Sequence, residues 1–231
     1  MAVTGGARGL GRALVEAFAG QGADVAFSHH QGGAHGSRLA QALRRRGRRV
    51  YDQVADACAT GQMAAFVEGA VESLGRLDVL VNNAGVFRQT PVGRITEGVL
   101  DEAFDVNVKA AIMTSQAAAP HLTRSGGAIV NVVSLGGLRP WPSHVAYCAS
   151  KAALVMATRC LALALAPEVR VNGVAPGILD PPGAPDELRR RVPQGRFGRH
   201  AEAVEAVMFL AVGAGYTTGE VLSVDGGRNL S

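Results

Sequence analysis

The chain has 231 residues, a formal charge of +4, and a composition that is 48% hydrophobic but only 5% aromatic. That length suits one domain burying roughly three quarters of its unfolded surface. No apolar run reaches the ~18 residues of a membrane span, and no signal peptide precedes the first glycines. Cys58, Cys148 and Cys160 cannot all pair, and none has metal-ligand spacing. A reduced, cytoplasmic protein without a structural metal or a membrane partner is expected. The positive charge is mostly arginine, densest at Arg44-Arg45-Arg46-Gly47-Arg48-Arg49. A nucleic-acid patch is one reading. The lack of interleaved aromatic residues for base stacking favours a solvated helix end stopped by Gly47, with no nucleic-acid partner.

In chain order, a short apolar segment ending at Val3 runs into Thr4-Gly5-Gly6-Ala7-Arg8-Gly9-Leu10-Gly11. An amphipathic helix follows, with Leu10, Leu14, Ala17 and Phe18 on one face, and it stops near residues 20–22. Val25 to Phe27 is a second strand, 34–46 a helix with Leu39 and Leu43 inward, Tyr51 to Val54 a third strand and 60–74 a helix. Asp78 to Val81 is the fourth strand, running into Asn82-Asn83-Ala84-Gly85. Helix spans 97–122 with a break or bend partway; Ala128 to Val133 is the fifth strand, ending at Ser134. A helix over 147–165 leads to strand Arg170 to Val174 and then Pro176-Gly177. The last helix, 201–212, precedes the last strand, Val221 to Val224.

Seven continuous apolar strands alternating with helices predict a doubly wound α/β fold on a parallel, Rossmann-type sheet with helices on both faces. With no linker or internal repeat, residues 1–231 read as a single domain. Ligands of such sheets collect at the carboxyl ends of the strands. Gly5 to Gly11, Ser28 to His30, Asp56, Asn82 to Gly85, Ser134 and Pro176-Gly177 all fall there. The first of these is a strand, a glycine turn and a helix start, the physical recipe for a pyrophosphate site. Its spacing is Gly-x-x-x-Gly-x-Gly rather than Gly-x-Gly-x-x-Gly, and no Walker lysine is present, which argues against nucleoside-triphosphate hydrolysis.

Tyr147 and Lys151 lie one helical turn apart on one face. A free phenol titrates near 10, and a nearby ammonium favours the phenolate. Such a pair suits proton exchange at neutral pH.

With these motifs in order, the sequence resembles the short-chain dehydrogenase/reductase family over almost its whole length. The matching residues are Thr4-Gly5-x-x-x-Gly9-x-Gly11, Asp56, Asn82-Asn83-Ala84-Gly85, Asn107, Ser134, Tyr147-x-x-x-Lys151, Pro176-Gly177 and Val224-Asp225-Gly226-Gly227. The pattern is similar to NADPH-dependent ketoreductases, including β-ketoacyl-carrier-protein reductases. The resemblance implies that Tyr147 exchanges the proton with the substrate oxygen and that Lys151 contacts the nicotinamide ribose and lowers the tyrosine pKa. It further implies that Ser134 hydrogen-bonds the carbonyl oxygen and that Asn107 holds a water leading from Lys151 to solvent. The dinucleotide would lie on Gly5, Arg8, Gly9, Leu10, Gly11, Ser28, His29, His30, Asp56, Ala57, Asn83, Ala84, Gly85, Tyr147, Lys151, Pro176, Gly177 and Leu179. Within that set Asp56 would accept from the adenine amine and Asn83 would meet the adenosine side.

Charge argues for NADP(H) over NAD(H), with NAD(H) use still open. The second strand ends in Phe27-Ser28-His29-His30, with no carboxylate until Asp52 to repel a 2′-phosphate. Arg8 can reach phosphate bidentately, and His29 and His30 would add affinity when protonated.

Three departures from the family pattern stand out. Only Met1 to Val3 precede the glycine turn, about 10 Å of chain, so lower stability than in relatives is expected. Pro181 replaces a frequent cofactor-facing Thr, followed by Pro182, and offers neither hydroxyl nor amide. The 178–191 lid is short and, with Pro185, stiff, suggesting an open pocket or one completed by a neighbouring subunit.

The substrate pocket should be lined by Val86, Phe87, 135–144 and the lid. Trp141 is either an apolar wall or loop packing, and His144 reads as a solvated loop residue rather than a second acid. Arg139, Arg189, Arg190 and Arg191 either attract an acidic ligand or carrier or serve solubility. The expected activity is hydride transfer between NADP(H) and a carbonyl or secondary alcohol, on a small-molecule substrate that is free or carrier-bound. The same chemistry on a pterin or sugar, or a non-catalytic NADP(H)-binding sensor or scaffold, are the alternatives. The 147–165 helix and the one ending near Leu122 are apolar on more than one face, so a homotetramer, or else a dimer, is expected.

Overall fold

The computed structural model describes residues 1–30, 33–179, 183 and 186–231. Seven strands form one parallel sheet: β1 (Ala2–Val3), β2 (Val25–His29), β3 (Val50–Val54), β4 (Val79–Asn82), β5 (Ala128–Val132), β6 (Arg170–Pro176) and β7 (Val221–Val224). Their order is β3-β2-β1-β4-β5-β6-β7. Between them run the helices α1 (Gly9–Gly20), α2 (Gly33–Arg45), α3 (Thr60–Leu74), α4 (Glu97–Phe104), α5 (Ala110–Ser125), α6 (Val145–Leu165), α7 (Asp186–Arg190) and α8 (His200–Met208).

Strand order reverses between β1 and β4, so the loops after these two strands diverge and open a crevice. Side chains alternate across the sheet. On one face Val3, Phe27 and Val81 pack with Leu14, Phe18, Leu39, Leu43 and Val207 of α1, α2 and α8. On the other, Ala2, Leu80 and Ile129 pack with Phe66, Leu122 and Ala162 of α3, α5 and α6. Covering both faces is what lets the central strands be apolar throughout.

The central strand is two residues long, yet Ala2 and Val3 are fully buried and pair with β2 on one side and β4 on the other. The ladder continues past it, Thr4 N donating to Val81 O at 3.0 Å and Gly6 N to Ser28 O at 2.8 Å. A short strand suffices because the glycine turn remains tied to both neighbours.

Several boundaries differ from the sequence reading. β2 runs on through Ser28 and His29, and β6 through Pro176, because pairing with β3 and β7 overrides local polarity. The bend expected in 97–122 is a π-helical turn over Asp105–Lys109, and α8 passes into another over Phe209–Gly213. No uninterrupted apolar run of about 18 residues was read from the sequence, yet α6, which carries Lys151 and Arg159, is long and apolar enough by length and composition to cross a membrane. It lies against β6 instead, with Lys151 buried on its inner side. The arginine run is tied to the fold. Arg44 donates to Val50 O and pairs with Asp52 at 2.8 Å, Arg48 donates to Gly22 O, and Arg49 donates to Ser73 O.

Inside the second core a chain of amides and hydroxyls joins four elements. Asn82 Nδ2 donates to Asn131 Oδ1 (2.8 Å) and Ser115 Oγ (2.9 Å), and Asn131 Nδ2 donates to Thr158 Oγ1 (2.9 Å). Asn131 is fully buried, so truncating it strands partners that cannot reach water. Asn131→Ala should lower the unfolding free energy by about 2–4 kcal/mol, measured by urea denaturation with an unchanged slope.

Candidate active site

The crevice is built by backbone before any side chain enters it. Thr4 Oγ1 accepts from Asn83 N (3.0 Å) and Ala84 N (2.9 Å), locking the β1 and β4 loops together. Asn83 Nδ2 returns the tie, donating to Thr4 O (2.9 Å) and Gly5 O (3.1 Å). The sequence reading gave Asn83 an adenosine contact. The structure places it in the wall of the crevice with its amide NH2 engaged in holding the glycine turn. Ser28 likewise supports that turn, its Oγ accepting from Gly5 N at 3.3 Å.

Close approach explains the third glycine. A Cβ on Gly11 would collide with the carbonyl oxygen of Gly5 and with Asn83 Nδ2, closing the start of α1. The resulting cleft, about 520 Å³, is lined by Gly5, Arg8, Leu10, Gly11, Ser28, His29, His30, Asp56, Ala57, Asn83, Ala84 and Gly85, together with Met63, Glu102 and Val106. Gly9 opens α1 beside it. Met63, Glu102 and Val106 were not singled out from sequence, because nothing local marks a helix residue that reaches a distant crevice.

His29 corrects an expectation. As the last residue of β2 it is only 4% exposed, with its ring beneath Gly36 of α2. It forms a wall of the cleft, with Nδ1 buried and unpartnered, and leaves His30 and Arg8 as the exposed basic side chains at that end. Asp56 Oδ1 accepts from Cys58 N at 2.9 Å, holding the loop after β3.

The cleft continues into a second pocket of about 240 Å³ that shares Leu10, Asn83, Gly85 and Val86 with it and adds Phe87, Ser134, Tyr147, Lys151, Pro176, Gly177 and Leu179. Ser134, Tyr147 and Lys151 converge here, with Asn107 buried behind the lining residue Val86. Lys151, in the second turn of α6, is 4% exposed and donates from Nζ to Val132 O at 2.9 Å. Burial lowers its pKa to about 8. Asn107 sits in the π-helical turn, where Oδ1 accepts from Val86 N (2.9 Å) and Nδ2 donates to Val86 O (3.1 Å) and Ser150 Oγ (3.0 Å). Ser150 in turn donates to Tyr147 O at 2.8 Å. A Cβ on Gly85 would stand 3.1 Å from Asn107 Oδ1 and 3.5 Å from Lys151 Nζ, so this glycine lets both polar groups crowd one strand end.

Tyr147 and Ser134 line the same pocket, and the influence of the Ser134 hydroxyl on the phenol favours the phenolate. Burial outweighs it, so the tyrosine pKa is raised above 10 rather than lowered. The lowering by Lys151 that the family resemblance implied is therefore not seen in this geometry, in which the ammonium faces Val132 O. Phe87, 64% exposed, closes over the phenol, its ring edge-on to Tyr147 (4.8 Å) and stacked on His144 (5.0 Å). Trp141 stacks on Tyr147 at 6.0 Å. His144 is thus a packed member of an aromatic cluster, contrary to the solvated loop residue expected, and burial pulls its pKa below 6.5.

Of the lid, Leu179 bridges to Gly198 and 186–190 form α7. Pro181, Pro182 and Pro185, on which its expected stiffness and the missing Thr rested, lie outside the described residues. The glycine cradle, with Arg8 and His30 exposed at the end of β2 and Asp56 and Glu102 further along the lining, fits a dinucleotide in the long cleft, leaving the Tyr147 pocket for a smaller reactant.

Known proteins share this arrangement over full length. A family model described as enoyl-(acyl carrier protein) reductase matches residues 5–229. The 3-oxoacyl-[acyl-carrier-protein] reductase of Thermotoga maritima is 35% identical over 235 residues, covering 97% of this chain and 95% of its own. Among solved structures, a short-chain dehydrogenase/reductase from Serratia marcescens superposes with a TM-score of 0.94 at 36% identity, covering 99% and 96% of the two chains. A blue fluorescent protein from a metagenomic library, solved in complex with NADPH, gives 0.93 at 36% identity and covers 98% and 96%.

The buried ammonium has a measurable consequence. With a folded pKa near 8 against an ordinary 10.5, the unfolded chain binds more protons between those values, so native stability rises with pH across that window. Lys151→Met removes the effect. The stability difference between wild type and variant should shift by about 3 kcal/mol in favour of wild type from pH 7.5 to 10.5, read from denaturation curves at both pH values.

Proposed function

This chain belongs to the short-chain dehydrogenase/reductase family of oxidoreductases, and we propose that it reduces a ketone or acyl-thioester carbonyl with NADPH, Tyr147 acting as proton donor. The observation that carries the proposal is the meeting of Ser134 and Tyr147 with a buried Lys151 in one pocket at the end of a glycine-cradled cleft.

Bound along Gly5 to Gly11, Ser28 to His30, Asp56, Ala57, Asn83 to Gly85 and Pro176 to Leu179, NADPH would supply the hydride. The protein's share is orientation and protons. A carbonyl oxygen beside Ser134 and Tyr147 accepts from both hydroxyls, which face the atom where negative charge develops. Burial keeps the phenol protonated at neutral pH, which suits donation to an alkoxide and favours reduction over alcohol oxidation. Lys151, mostly charged at pH 7 with a pKa of about 8, spends one of its three N–H donors on Val132 O. The others are free for ribose hydroxyls and stabilise the tyrosine after it gives up its proton. Asn107 and Ser150 fix the turn on which both side chains stand. Phe87 and Trp141 shield the pocket from water.

Preference for NADPH rests on Arg8 and His30 at the rim and on the lack of an acidic residue at the end of β2. Arg8→Gln should cut the NADPH-over-NADH preference about tenfold. Tyr147→Phe should lower kcat by roughly 10²–10⁴-fold while leaving NADPH binding within a few fold. Both are measured on a carbonyl panel followed at the cofactor absorbance. Undiminished turnover by Tyr147→Phe refutes the proton-donor role. Activity confined to pterins or sugars selects that alternative, and NADPH binding without turnover of any class selects a sensor or scaffold.

Assembly follows from exposed apolar side chains. Met156 (55%) and Leu163 (84%) on α6 and Phe104 (39%) on α4 face solvent in the isolated chain, and burying them between copies makes a homotetramer, or else a dimer, favourable. Light scattering at micromolar concentration should give that mass; a monomer contradicts it.

A further inference from the structure

Beyond Trp141, on the side away from the dinucleotide cleft, lies a cavity of about 440 Å³ whose lining includes Arg139, Trp141, Arg190, Arg191 and Arg228. Four guanidinium groups line it and no Asp or Glu does. Among the described residues none of the four arginines pairs with an Asp or Glu side chain. The nearby carboxylates are committed elsewhere. Asp225 accepts from Gly227 N (3.0 Å) and Asn229 N (2.7 Å), and Asp186 pairs with Arg189 at 3.3 Å. Arg139 is tethered by donating to the carbonyl oxygen of Arg228 and to a main-chain oxygen of Ser231, the last residue of the chain and part of the same lining.

A second observation is independent of charge. Trp141 Nε1 and Arg228 Nη1 are both buried without a hydrogen-bond partner. Buried N–H groups without an acceptor are rare, and here two of them belong to residues lining one cationic cavity. Burial, and after it the charges of Arg139 and Arg191, pull the Arg228 pKa down, and the smaller opposing influence of Asp225 does not offset them. Trp141 joins the cavity to the reaction pocket, since its ring also meets Tyr147 (6.0 Å), His144 (5.5 Å) and Phe87 (6.4 Å).

We propose that this cavity is a substrate subsite that binds a phosphate group on the tail of the carbonyl compound, the tail passing around Trp141 so that its carbonyl reaches Tyr147. Phosphate is favoured over a single carboxylate because it carries two charges and several acceptor oxygens, which arginine forks engage bidentately. The assignment deepens the reductase reading and rests on it for the word substrate; the anion site stands on its own geometry.

Trp141 is the only tryptophan in the chain, so its fluorescence reports on the cavity directly. Inorganic phosphate, titrated at constant ionic strength against chloride, should change the emission saturably. Arg191→Gln, an exposed substitution with no fold-holding side-chain contact, and Arg228→Gln should each weaken that response about tenfold. A response absent in wild type, equal for chloride, or unchanged in both variants overturns the site. Kinetics then test the tail. A keto substrate with a terminal phosphate ester should exceed its neutral counterpart in kcat/KM by about tenfold or more, through KM. In Arg191→Gln the gap should close with neutral-substrate turnover unchanged. Equal kcat/KM for the two substrates in wild type overturns the substrate assignment. Failure to turn over either one counts against the reductase reading, and the fluorescence arm still judges the pocket.

Discussion

One ammonium group taken out of water organises the site. Lys151 sits in the second turn of α6 with its Nζ on the carbonyl of Val132, and a buried cation is costly unless its surroundings answer it. The neighbouring choices follow from that need. Gly85 lacks the Cβ that would crowd Asn107 Oδ1 at 3.1 Å beside the ammonium. The π-helical turn at Asp105–Lys109 swings Asn107 inward to clasp Val86 and Ser150, fixing the strand end and the helix turn between which the lysine lies. Tyr147 is one turn earlier on the same helix, so holding the lysine also holds the phenol against Ser134.

The sheet supplies the rest by topology. Reversal of strand order between β1 and β4 places the glycine turn and Asn82-Asn83-Ala84-Gly85 across one crevice. Thr4 and Asn83 then bind the two loops by four hydrogen bonds. Residues that look like ligand contacts in sequence are therefore partly scaffold. Asn83, Ser28 and His29 give shape to the cleft, while Arg8 and His30 stand exposed along it.

Most of the fold was legible because the physics is local. Continuous apolar strands, glycine punctuation and 3.6-residue periodicity mark a parallel sheet covered on both faces, and even the stub β1 is announced by the turn it feeds. What was not legible depends on partners distant in the chain. His29 reads as polar and exposed until pairing with Val54 of β3 draws it into the sheet. The acceptor for Lys151 is a backbone carbonyl, which carries no signature in any side chain. The tyrosine pKa was read from neighbouring positive charge, although burial is the larger influence. Arg139, Arg190 and Arg191 stood out in sequence, but Arg228 did not, because 89 residues separate it from Arg139, which donates to its carbonyl oxygen.

The chain contains only two lysines, Lys109 and Lys151, so selective labelling at the lysine ε-carbon gives two NMR signals, assigned by replacing Lys109 with arginine. Titrating the Lys151 signal tests the constraint on which this account depends. A midpoint near pH 8, the value its burial imposes, is the predicted result. A midpoint at the ordinary lysine value near 10.5 would contradict it, because the ammonium would then be solvated and the side chains arranged around it would have no common cause.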